Sequence, residues 1–274
     1  MKLSKSEKNR LRTKYGSWAV VTGASSGIGQ ELAIRLAESG LNLVIHGRDS
    51  QRLSKLQQKL SSQYGVEINT VAVDLSESTG IDQVIAMAQG LDVGLLIASA
   101  GFGTSGLMLN NSIHEETNML RVNCESLLVL THHFSQYFAQ QKRGGIILMS
   151  SIVGFQGVPF AANYAATKAY VQSLAEALAL ELKPYGVDVL AAAPGPVTSG
   201  FGKRANMKMD MTLTPAQIGV PILKALGRKD TVLPGFLTKF LVYSLRTVPR
   251  WGKVRIMKQV MGGMTQRGMT KYRT

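Results

Sequence analysis

Tyr164 and Lys168 lie four positions apart in the stretch NYAATKAY (163–170), which places them one turn apart on one face of a helix. A tyrosine phenol has a pKa of about 10, too high for an efficient base near neutral pH, and a neighbouring ammonium group lowers it. Such a pair could exchange a proton with a bound substrate. The spacing alone is weak evidence, because a chain with 8 Tyr and 17 Lys readily produces it by chance. The alternative is that Tyr164 and Lys168 are only two polar residues on a helix face.

A glycine-rich stretch near the N-terminus indicates a phosphate-binding loop. The apolar run SWAVVT (17–22) leads directly into GASSGIG, so that Gly23, Gly27 and Gly29 lie between a predicted strand and a predicted helix. Glycines permit a tight turn and close backbone approach, and the N-terminus of the following helix attracts a pyrophosphate. We therefore predict that a dinucleotide binds the loop residues Gly23, Ser25, Ser26, Gly27, Ile28 and Gly29.

The end of the second apolar run indicates which dinucleotide is preferred. An acid at this point would bond the ribose 2′-hydroxyl of NAD(H), whereas an arginine would pair with the 2′-phosphate of NADP(H). The run ends in VIHGRDS, where Arg48 follows His46 and the first acid is Asp49. This pattern favours NADP(H) over NAD(H), with a solvated loop arginine as the alternative. Asp74 and Leu75, at the end of the third run, are predicted cofactor contacts, although Asp74 could instead cap the next helix.

Short apolar runs alternate with amphipathic segments along most of the chain. The runs are continuous, as is typical of parallel strands covered on both faces, and the alternation indicates βαβ units. Right-handed crossovers then predict an α/β, Rossmann-type fold with a doubly wound parallel sheet of about seven strands. The predicted strands are 17–22, 41–46, 68–74, 93–99, 145–150, 187–193 and, weakly, 231–234. The predicted helices are 27–39, 50–63, 79–89, 112–141, 160–184 and 214–227.

The charge of the chain divides it into three parts. Of the net charge of +14, residues 1–14 carry +5 and residues 228–274 carry +10, so the remaining body is nearly neutral. We predict a basic N-terminal tail (1–14), one catalytic domain (15–235) and a basic C-terminal segment (236–274). A neutral body without a recognisable nucleic-acid-binding module argues against a nucleic-acid partner.

The location of the protein is predicted from its cysteine content and its N-terminus. The single Cys124 and the absence of an apolar stretch at the N-terminus predict a protein of the cytoplasm. The four histidines are not spaced as metal ligands, so no metal site is expected.

An ordered set of motifs resembles the short-chain dehydrogenase/reductase family in its single-domain form. The motifs are TGASSGIG, VDL, IASAG, RVN, ILMSS, YAATK and AAPGPVTSGF, and they span roughly residues 15–235. The resemblance implies NAD(P)-dependent interconversion of a ketone or aldehyde and an alcohol by hydride transfer. It also implies a catalytic set of Asn123, Ser151, Tyr164 and Lys168, in which the serine lies thirteen positions before the tyrosine and Ser150 is its neighbour along the strand.

The resemblance assigns a role to each member of this set. Tyr164 is the acid in reduction and the base in oxidation, and Lys168 lowers its pKa and holds the nicotinamide ribose. Ser151 bonds the substrate oxygen. Asn123 holds a water that connects Lys168 to solvent.

Two further segments are predicted to line the cofactor site. The family's Asn-Asn-Ala-Gly after the fourth strand is replaced by ASAG, in which Ser99, Ala100 and Gly101 are the cofactor contacts; the departure bears on cofactor affinity more than on the chemistry. The turn PGPVTSGF after the sixth strand is predicted to meet the nicotinamide carboxamide and the phosphates. Its predicted contacts are Pro194, Gly195, Val197, Thr198 and Ser199.

The C-terminal segment has the pattern of a basic amphipathic helix. Apolar residues recur every three or four positions between Trp251 and Met264, basic residues flank them, and Pro249 precedes them. Residues 236–264 could therefore lie on an anionic membrane surface, or pack on the body or on a partner subunit. Because the family builds its substrate lid here, an apolar substrate is also expected.

The sequence as a whole predicts an NADP(H)-dependent oxidoreductase that acts on an apolar ketone, aldehyde or alcohol. The alternative is a protein that kept the fold and binds NADP(H) as a sensor or scaffold without turnover. The family pairs its long helices, so a homodimer or homotetramer is expected.

Overall fold

The computed structural model describes residues 2–208 and 212–265. At its centre is a parallel sheet of seven strands in the order β3-β2-β1-β4-β5-β6-β7, which confirms the predicted doubly wound fold. The strands are β1 (Trp18–Thr22), β2 (Asn42–Gly47), β3 (Ile68–Ala72), β4 (Val93–Ala98), β5 (Gly144–Met149), β6 (Val187–Ala192) and β7 (Thr231–Val232).

Helices cover both faces of the sheet. The helices are α1 (Lys5–Tyr15), α2 (Gly27–Glu38), α3 (Ser50–Tyr64), α4 (Ser78–Ala88), α5 (Ile113–Leu120), α6 (Ser126–Gln140), α7 (Ala162–Glu181), α8 (Gly200–Arg204), α9 (Pro215–Ala225), α10 (Phe236–Ser244) and α11 (Arg250–Met264). Side chains of α1, α2, α3 and α9 share one apolar core with the sheet, and those of α4, α6 and α7 share the other. Alternate strand residues face opposite cores: Ala19 and Val21 face the first, and Trp18 and Val20 the second. This two-sided burial is why most strand positions are apolar, with polar exceptions such as Asn69 and Thr70 on the edge strand β3.

The predicted basic tail is instead a helix that packs on the domain. Leu11 and Tyr15 on α1 are fully buried in the first core. The Tyr15 hydroxyl donates to Asp188 Oδ2 at 2.6 Å, and the Arg10 guanidinium donates to the carbonyl oxygens of Leu223 and Leu226 at the end of α9. The cationic residues of this segment thus surround a few buried apolar residues, which the net charge does not reveal.

The helix predicted over 112–141 is interrupted. A five-residue π turn (Arg121–Glu125) separates α5 from α6 and contains Asn123. Such turns shift the hydrogen-bond register without interrupting the apolar pattern, so the sequence shows a continuous helix. Asn123 is fully buried at this point.

The C-terminal segment forms two helices, and α11 begins directly after Pro249. Met261 on α11 is buried, and Met257 and Met264 pack with it against a third apolar cluster that contains Phe102 and Tyr164. Within the described parts of the chain, we find no helix with both the length and the apolar character needed to span a bilayer.

Candidate active site

The predicted site residues meet at the carboxyl edge of the sheet, where parallel strands of this fold type end. They line one cavity of about 810 Å³. Of the residues predicted from the sequence, Asn123 and Thr198 are the two that do not line it. Asn123 lies behind the cavity wall. Thr198 faces outward between Val197 and Ser199, because its hydroxyl contacts Thr212, so its predicted cofactor contact is not supported.

Helix α7 positions Tyr164 and Lys168 in the cavity. Both side chains are buried, at 8% and 5% exposure, although they are among the most polar residues of this helix. Lys168 Nζ donates to the carbonyl oxygen of Met149, the last residue of β5, at 2.8 Å. It lies 5.9 Å from the centre of the Tyr164 ring. The Lys168 side chain therefore reaches from α7 to the end of β5 beside the Tyr164 ring. Its ammonium group is placed to bind polar partners in the cavity.

Burial shifts the pKa of both groups toward the neutral form. It raises the pKa of the Tyr164 phenol well above its usual value, and the hydroxyl of Ser151 acts in the opposite direction. It lowers the pKa of Lys168 to about 8. In the protein alone, burial is the largest influence on the Tyr164 pKa and the Lys168 ammonium is bonded to the Met149 carbonyl, so a lowering of the phenol pKa by Lys168 remains a prediction for the complex with cofactor. The phenol of Tyr164 therefore carries its proton at neutral pH.

The two serines after β5 have different environments. The Ser150 hydroxyl donates to the backbone carbonyl of Lys168 at 3.0 Å, which ties β5 to α7. Ser151 caps the 3-10 turn Ile152–Phe155 with its side chain and faces Tyr164 across the cavity. Its hydroxyl can still donate to a substrate oxygen. Ser150 is thus structural, and Ser151 is the serine available for chemistry.

The side chain of Asn123 holds the loop that follows β4. Its Oδ1 accepts from the backbone N–H of Phe102 at 3.0 Å, and its Nδ2 donates to the Phe102 carbonyl at 2.8 Å and to Thr167 Oγ1 at 3.1 Å. A Cβ on Gly101 would lie 3.0 Å from Asn123 Oδ1, so a side chain here would press on the Asn123 amide. Both amide hydrogens are used and Oδ1 accepts one bond, so the side chain fixes the backbone beside Lys168; the expected water-holding role remains a prediction.

The glycine-rich loop has the close contacts that a pyrophosphate site requires. Gly23 and Gly27 have φ angles of 70° and 62°, in the left-handed region. A Cβ on Gly29 would lie 2.4 Å from the carbonyl oxygen of Gly23, so side chains are excluded where the backbone approaches the first turn of α2. The free N–H groups of this helix end open into the cavity, together with Ser25 and Ser26. These residues fit a dinucleotide.

Arg48 and Asp74 lie together at the far end of the cavity, beyond β2 and β3. Arg48 Nη1 is 3.7 Å from Asp74 Oδ2, and both side chains are largely exposed. Burial tends to raise the pKa of Asp74, but hydrogen bonds from Ser76 and the charge of Arg48 hold it below its usual value. Gly47, between His46 and Arg48, approaches Ser25 so closely that a Cβ there would lie 2.9 Å from it. The arginine is therefore held next to the glycine-rich loop.

Comparison with known proteins agrees with this geometry. The family model for short chain dehydrogenases matches residues 17–210. The chain belongs to the short-chain dehydrogenase family. It is similar to a 7β-hydroxysteroid dehydrogenase of Collinsella aerofaciens, with 30% identity over 240 residues, which cover 85% of this chain and 91% of that relative.

Two solved structures extend the similarity over nearly the whole chain. One, from a study of 7β-hydroxysteroid dehydrogenase stereoselectivity, shares 29% identity and has a TM-score of 0.83, covering 90% of this chain and 98% of the other. The second is a short-chain dehydrogenase from Sphingobium yanoikuyae in complex with NADPH, with 27% identity, a TM-score of 0.75 and coverage of 91% and 97%. As a short-chain dehydrogenase, this protein is an NAD(P)-dependent oxidoreductase that interconverts carbonyl and alcohol groups, which confirms the prediction from the motifs.

The turn after β4, where the sequence departs from the family pattern, is fixed by hydrogen bonds and close packing. The backbone N–H groups of Ser99 and Ala100 both donate to Thr22 Oγ1 at 3.1 Å. A Cβ on Gly23 would lie 2.9 Å from the Ala100 backbone, so this turn packs directly on the glycine-rich loop. The turn that carries Ala98 and Ser99 in place of the family's two asparagines therefore still packs closely on the cofactor side.

The substrate end of this dehydrogenase was only partly predicted. Phe201 on α8 packs on Tyr164, with 5.2 Å between ring centres, and its Cζ would lie 2.8 Å from a Cβ on Gly103. Met257, Met261 and Met264 of α11 form the opposite wall of the cavity. Their spacing of three and four residues is the sequence pattern that predicted this apolar helix face. Phe102, Phe201 and Arg204 carry no comparable pattern, because their positions depend on loops.

Proposed function

We propose that the protein reduces a ketone on a bulky apolar molecule with NADPH, using Tyr164 as the proton donor. The observation that carries this proposal is the buried group of Tyr164, Ser151 and Lys168, which lies in the same cavity as the glycine-rich loop. The bound dinucleotide would supply the hydride. Ser151 would donate a hydrogen bond to the substrate oxygen, and Tyr164 would donate the proton that completes the alcohol.

Lys168 and Asn123 support this chemistry without exchanging atoms with the substrate. Lys168 would hold the ribose hydroxyls beside Tyr164 and supply positive charge as the phenol loses its proton. Asn123 would fix the backbone at Phe102 and so the wall next to Lys168. We assign Asn123 a positioning role, and the water-holding role expected from the family remains a prediction.

The walls around Tyr164 favour a large apolar substrate. Phe201 and the third apolar cluster form one side, and α10 and α11 form the other, where the lining side chains are Leu241, Val242, Leu245, Ile256, Met257, Val260, Met261 and Met264. Methionines adapt to irregular apolar shapes. The similarity to 7β-hydroxysteroid dehydrogenases supports a fused-ring ketone as the first candidate. Residues 236–265 would then act as the lid of the cavity.

The end of β2 supports NADP(H) over NAD(H). The first acidic residue after this strand is Asp49, which caps α3 by accepting from the Arg52 N–H, while Arg48 is directed into the cavity beside Asp74. A guanidinium at this position pairs with a 2′-phosphate. Asp74 would then balance the charge of Arg48 until the phosphate binds.

A cofactor and substrate screen tests these proposals together. We expect NADPH oxidation with fused-ring ketones, slower turnover with NADH, and loss of at least 1,000-fold in kcat for Tyr164→Phe with the NADPH Kd unchanged, because the variant lacks only the transferable proton. If the wild-type protein binds NADPH but oxidises it with no carbonyl in a broad panel, the protein is instead a cofactor-binding sensor or scaffold.

We also propose that the protein forms a homodimer or homotetramer through α5, α6 and α7. Apolar side chains that a monomer would expose to water lie on these helices: Leu120, Leu128, Val129, Tyr170 and Leu180. Analytical ultracentrifugation of wild-type protein and of Leu128→Glu/Leu180→Glu tests this, and a wild-type protein that sediments as a monomer at micromolar concentration contradicts it.

The outer surface of α10 and α11 supports peripheral contact with an anionic membrane. Phe236, Phe240 and Trp251 are exposed at 86%, 58% and 64%, and basic residues lie beside them. Arg255 stacks on the Trp251 ring at 5.0 Å. Aromatic side chains flanked by cations are characteristic of interfacial helices.

The partly buried Cys124 thiol is consistent with a reducing compartment such as the cytoplasm.

A further inference from the structure

The short helix α8 bridges the opening of the cofactor side of the cavity. At its start, a Cβ on Gly27 of the glycine-rich loop would lie 3.3 Å from Ser199 Cβ. At its end, the hydroxyl of Ser105 donates to the carbonyl oxygen of Ala205 at 2.6 Å and contacts that of Asn206 at 3.2 Å. The helix therefore spans from the glycine-rich loop after β1 to the loop after β4, and both of its ends are anchored.

Arg204, the last residue of α8, is held in the cavity by a defined contact. Its guanidinium carbon lies 3.7 Å from the centre of the Phe102 ring, within stacking distance. The backbone of Phe102 is itself fixed by the side-chain amide of Asn123, whose Oδ1 accepts from the Phe102 N–H and whose Nδ2 donates to the Phe102 carbonyl. The position of the guanidinium thus follows from two rigid contacts, and the side chain lines the same cavity as the glycine-rich loop and Arg48.

The charged groups near Arg204 are one cation, Arg48, and two acids, Glu115 and Asp74. The pKa of Arg204 lies below the usual value, first because of partial burial and second because the Arg48 charge is close, while Glu115 and Asp74 act in the opposite direction. The Arg48 side chain makes a 3.7 Å contact with Asp74, and Arg204 makes no ion pair with any residue in the described ranges 2–208 and 212–265. Two guanidinium groups brought together over a cavity that binds a dinucleotide form a site for an anion with several charges.

We propose that Arg204 closes over the bound cofactor and contacts its phosphate groups, so that α8 acts as a clasp opposite the glycine-rich loop. This inference rests on the proposed binding of NADP(H) and adds a second guanidinium to the one that Arg48 provides. The glycine-rich loop would contact the phosphates through backbone N–H groups, and Arg204 would contact them from the solvent side through a charged, planar donor. Cofactor binding would then order the substrate wall, because Phe201 lies on the same helix.

The test compares Arg204→Gln and Arg204→Lys with Lys203→Gln, which removes a neighbouring exposed cation on the same helix that does not line the cavity. Equilibrium Kd values for NADPH and for NADH are measured by titration without substrate, at two salt concentrations. We expect Arg204→Gln to raise the Kd about 10- to 100-fold and to weaken its salt dependence, Arg204→Lys to have a smaller effect, and Lys203→Gln to leave both constants within about twofold.

The pattern of losses identifies the phosphate involved. A larger rise for NADPH than for NADH supports contact with the 2′-phosphate, and equal rises support contact with the pyrophosphate. Unchanged Kd values for both cofactors in Arg204→Gln overturn the proposal, whether or not the KM for the carbonyl substrate rises. If the wild-type protein binds neither cofactor, the proposed function itself fails. If the wild-type protein binds NADPH and the Arg204 variant binds it equally well, only the role of Arg204 fails.

Discussion

At the scale of single residues, the main chemical feature is a tyrosine that burial keeps protonated beside a lysine that burial makes easy to deprotonate. The pKa of Tyr164 is raised, so the phenol can donate a proton throughout the neutral range. The pKa of Lys168 is lowered to about 8, so its charge is close to being lost under mildly alkaline conditions. These protonation states fit the proposed reduction of a carbonyl, and they predict that loss of the Lys168 charge limits activity at alkaline pH.

This arrangement predicts the pH dependence of the reductive reaction. Lys168 carries its charge below its pKa and loses it as the pH rises, so kcat/KM for NADPH should fall with a midpoint near pH 8. The Tyr164 phenol stays protonated over the same interval and contributes no second limb. Initial rates at saturating ketone from pH 6 to 10 give the profile. Lys168→Arg should be a slower enzyme whose kcat/KM no longer falls near pH 8. If the fall near pH 8 persists in this variant, another group causes it.

The sequence identified most of these residues but not their electrostatics. The spacing from Tyr164 favoured Ser151 over Ser150, and the hydrogen bond of Ser150 to the Lys168 carbonyl supports that prediction. The spacing of Tyr164 and Lys168 predicted their common helix face. It could not predict that the ammonium group bonds to the end of β5, because that contact joins residues 19 positions apart in sequence through the tertiary fold.

At the scale of secondary-structure elements, close backbone contacts around the first turn of α2 determine whether a dinucleotide can bind. The Gly29 position has no room for a side chain, since a Cβ there would lie 2.4 Å from a backbone oxygen that cannot swing away. Gly263 in α11 is the matched control, because it is also helical and a Cβ there meets nothing within 4 Å.

We therefore expect Gly29→Ala to raise the Kd for NADPH by about tenfold or more and to lower the melting temperature, because the glycine-rich loop must shift. Gly263→Ala should leave the Kd unchanged and stabilise the protein slightly, by up to ~1 kcal/mol, since alanine is the better helix former. Titration of NADPH and thermal melting measure the two effects. Equal behaviour of the two variants would show that the glycine-rich loop tolerates a side chain.

Helix α1 was the largest error in reading the elements from sequence. Six basic residues in the first fourteen positions suggested a solvated tail, whereas Leu11 and Tyr15 are fully buried. The strands were read correctly because each is a short, mainly apolar run, whereas α1 has few apolar residues and their burial depends on a groove formed by the sheet and α2. The π turn at Asn123 was missed for a related reason, because its apolar spacing matches that of a continuous helix.

Removal of the Leu11 side chain tests whether α1 belongs to the folded domain. Leu11→Ala should reduce the free energy of unfolding by about 2–5 kcal/mol, as is usual for a fully buried leucine. Thr13→Ala, an exposed position on the same helix, should change it by less than ~0.5–1 kcal/mol. Urea unfolding followed by circular dichroism gives both values. A Leu11 variant as stable as the wild type would mean that α1 is a tail in solution.

At the scale of the whole molecule, the cavity and the exposed apolar surface meet at α10 and α11. Leu241, Ile256 and Val260 line the cavity and are also exposed, so they form its rim. Phe236, Phe240 and Trp251 continue the apolar surface outward. An apolar ketone dissolved in a bilayer would therefore reach Tyr164 without crossing water if this surface lies on the membrane.

This surface predicts how the protein partitions onto lipid vesicles. We expect wild-type protein to float with vesicles that contain anionic phospholipid, and to be partly released by high salt, because both aromatic burial and basic residues contribute to binding. Phe236→Ser/Phe240→Ser/Trp251→Ser should reduce the bound fraction by about tenfold or more. The matched control is Met108→Ser/Leu109→Ser, which removes two exposed apolar side chains, at 53% and 89% exposure, from the segment between β4 and α5, and it should float like the wild type. Thermal melts confirm that both variants are folded. Equal flotation of the two variants, or no wild-type flotation with anionic vesicles, would leave α10 and α11 as a lid that acts in water, with the cavity rim open to solvent.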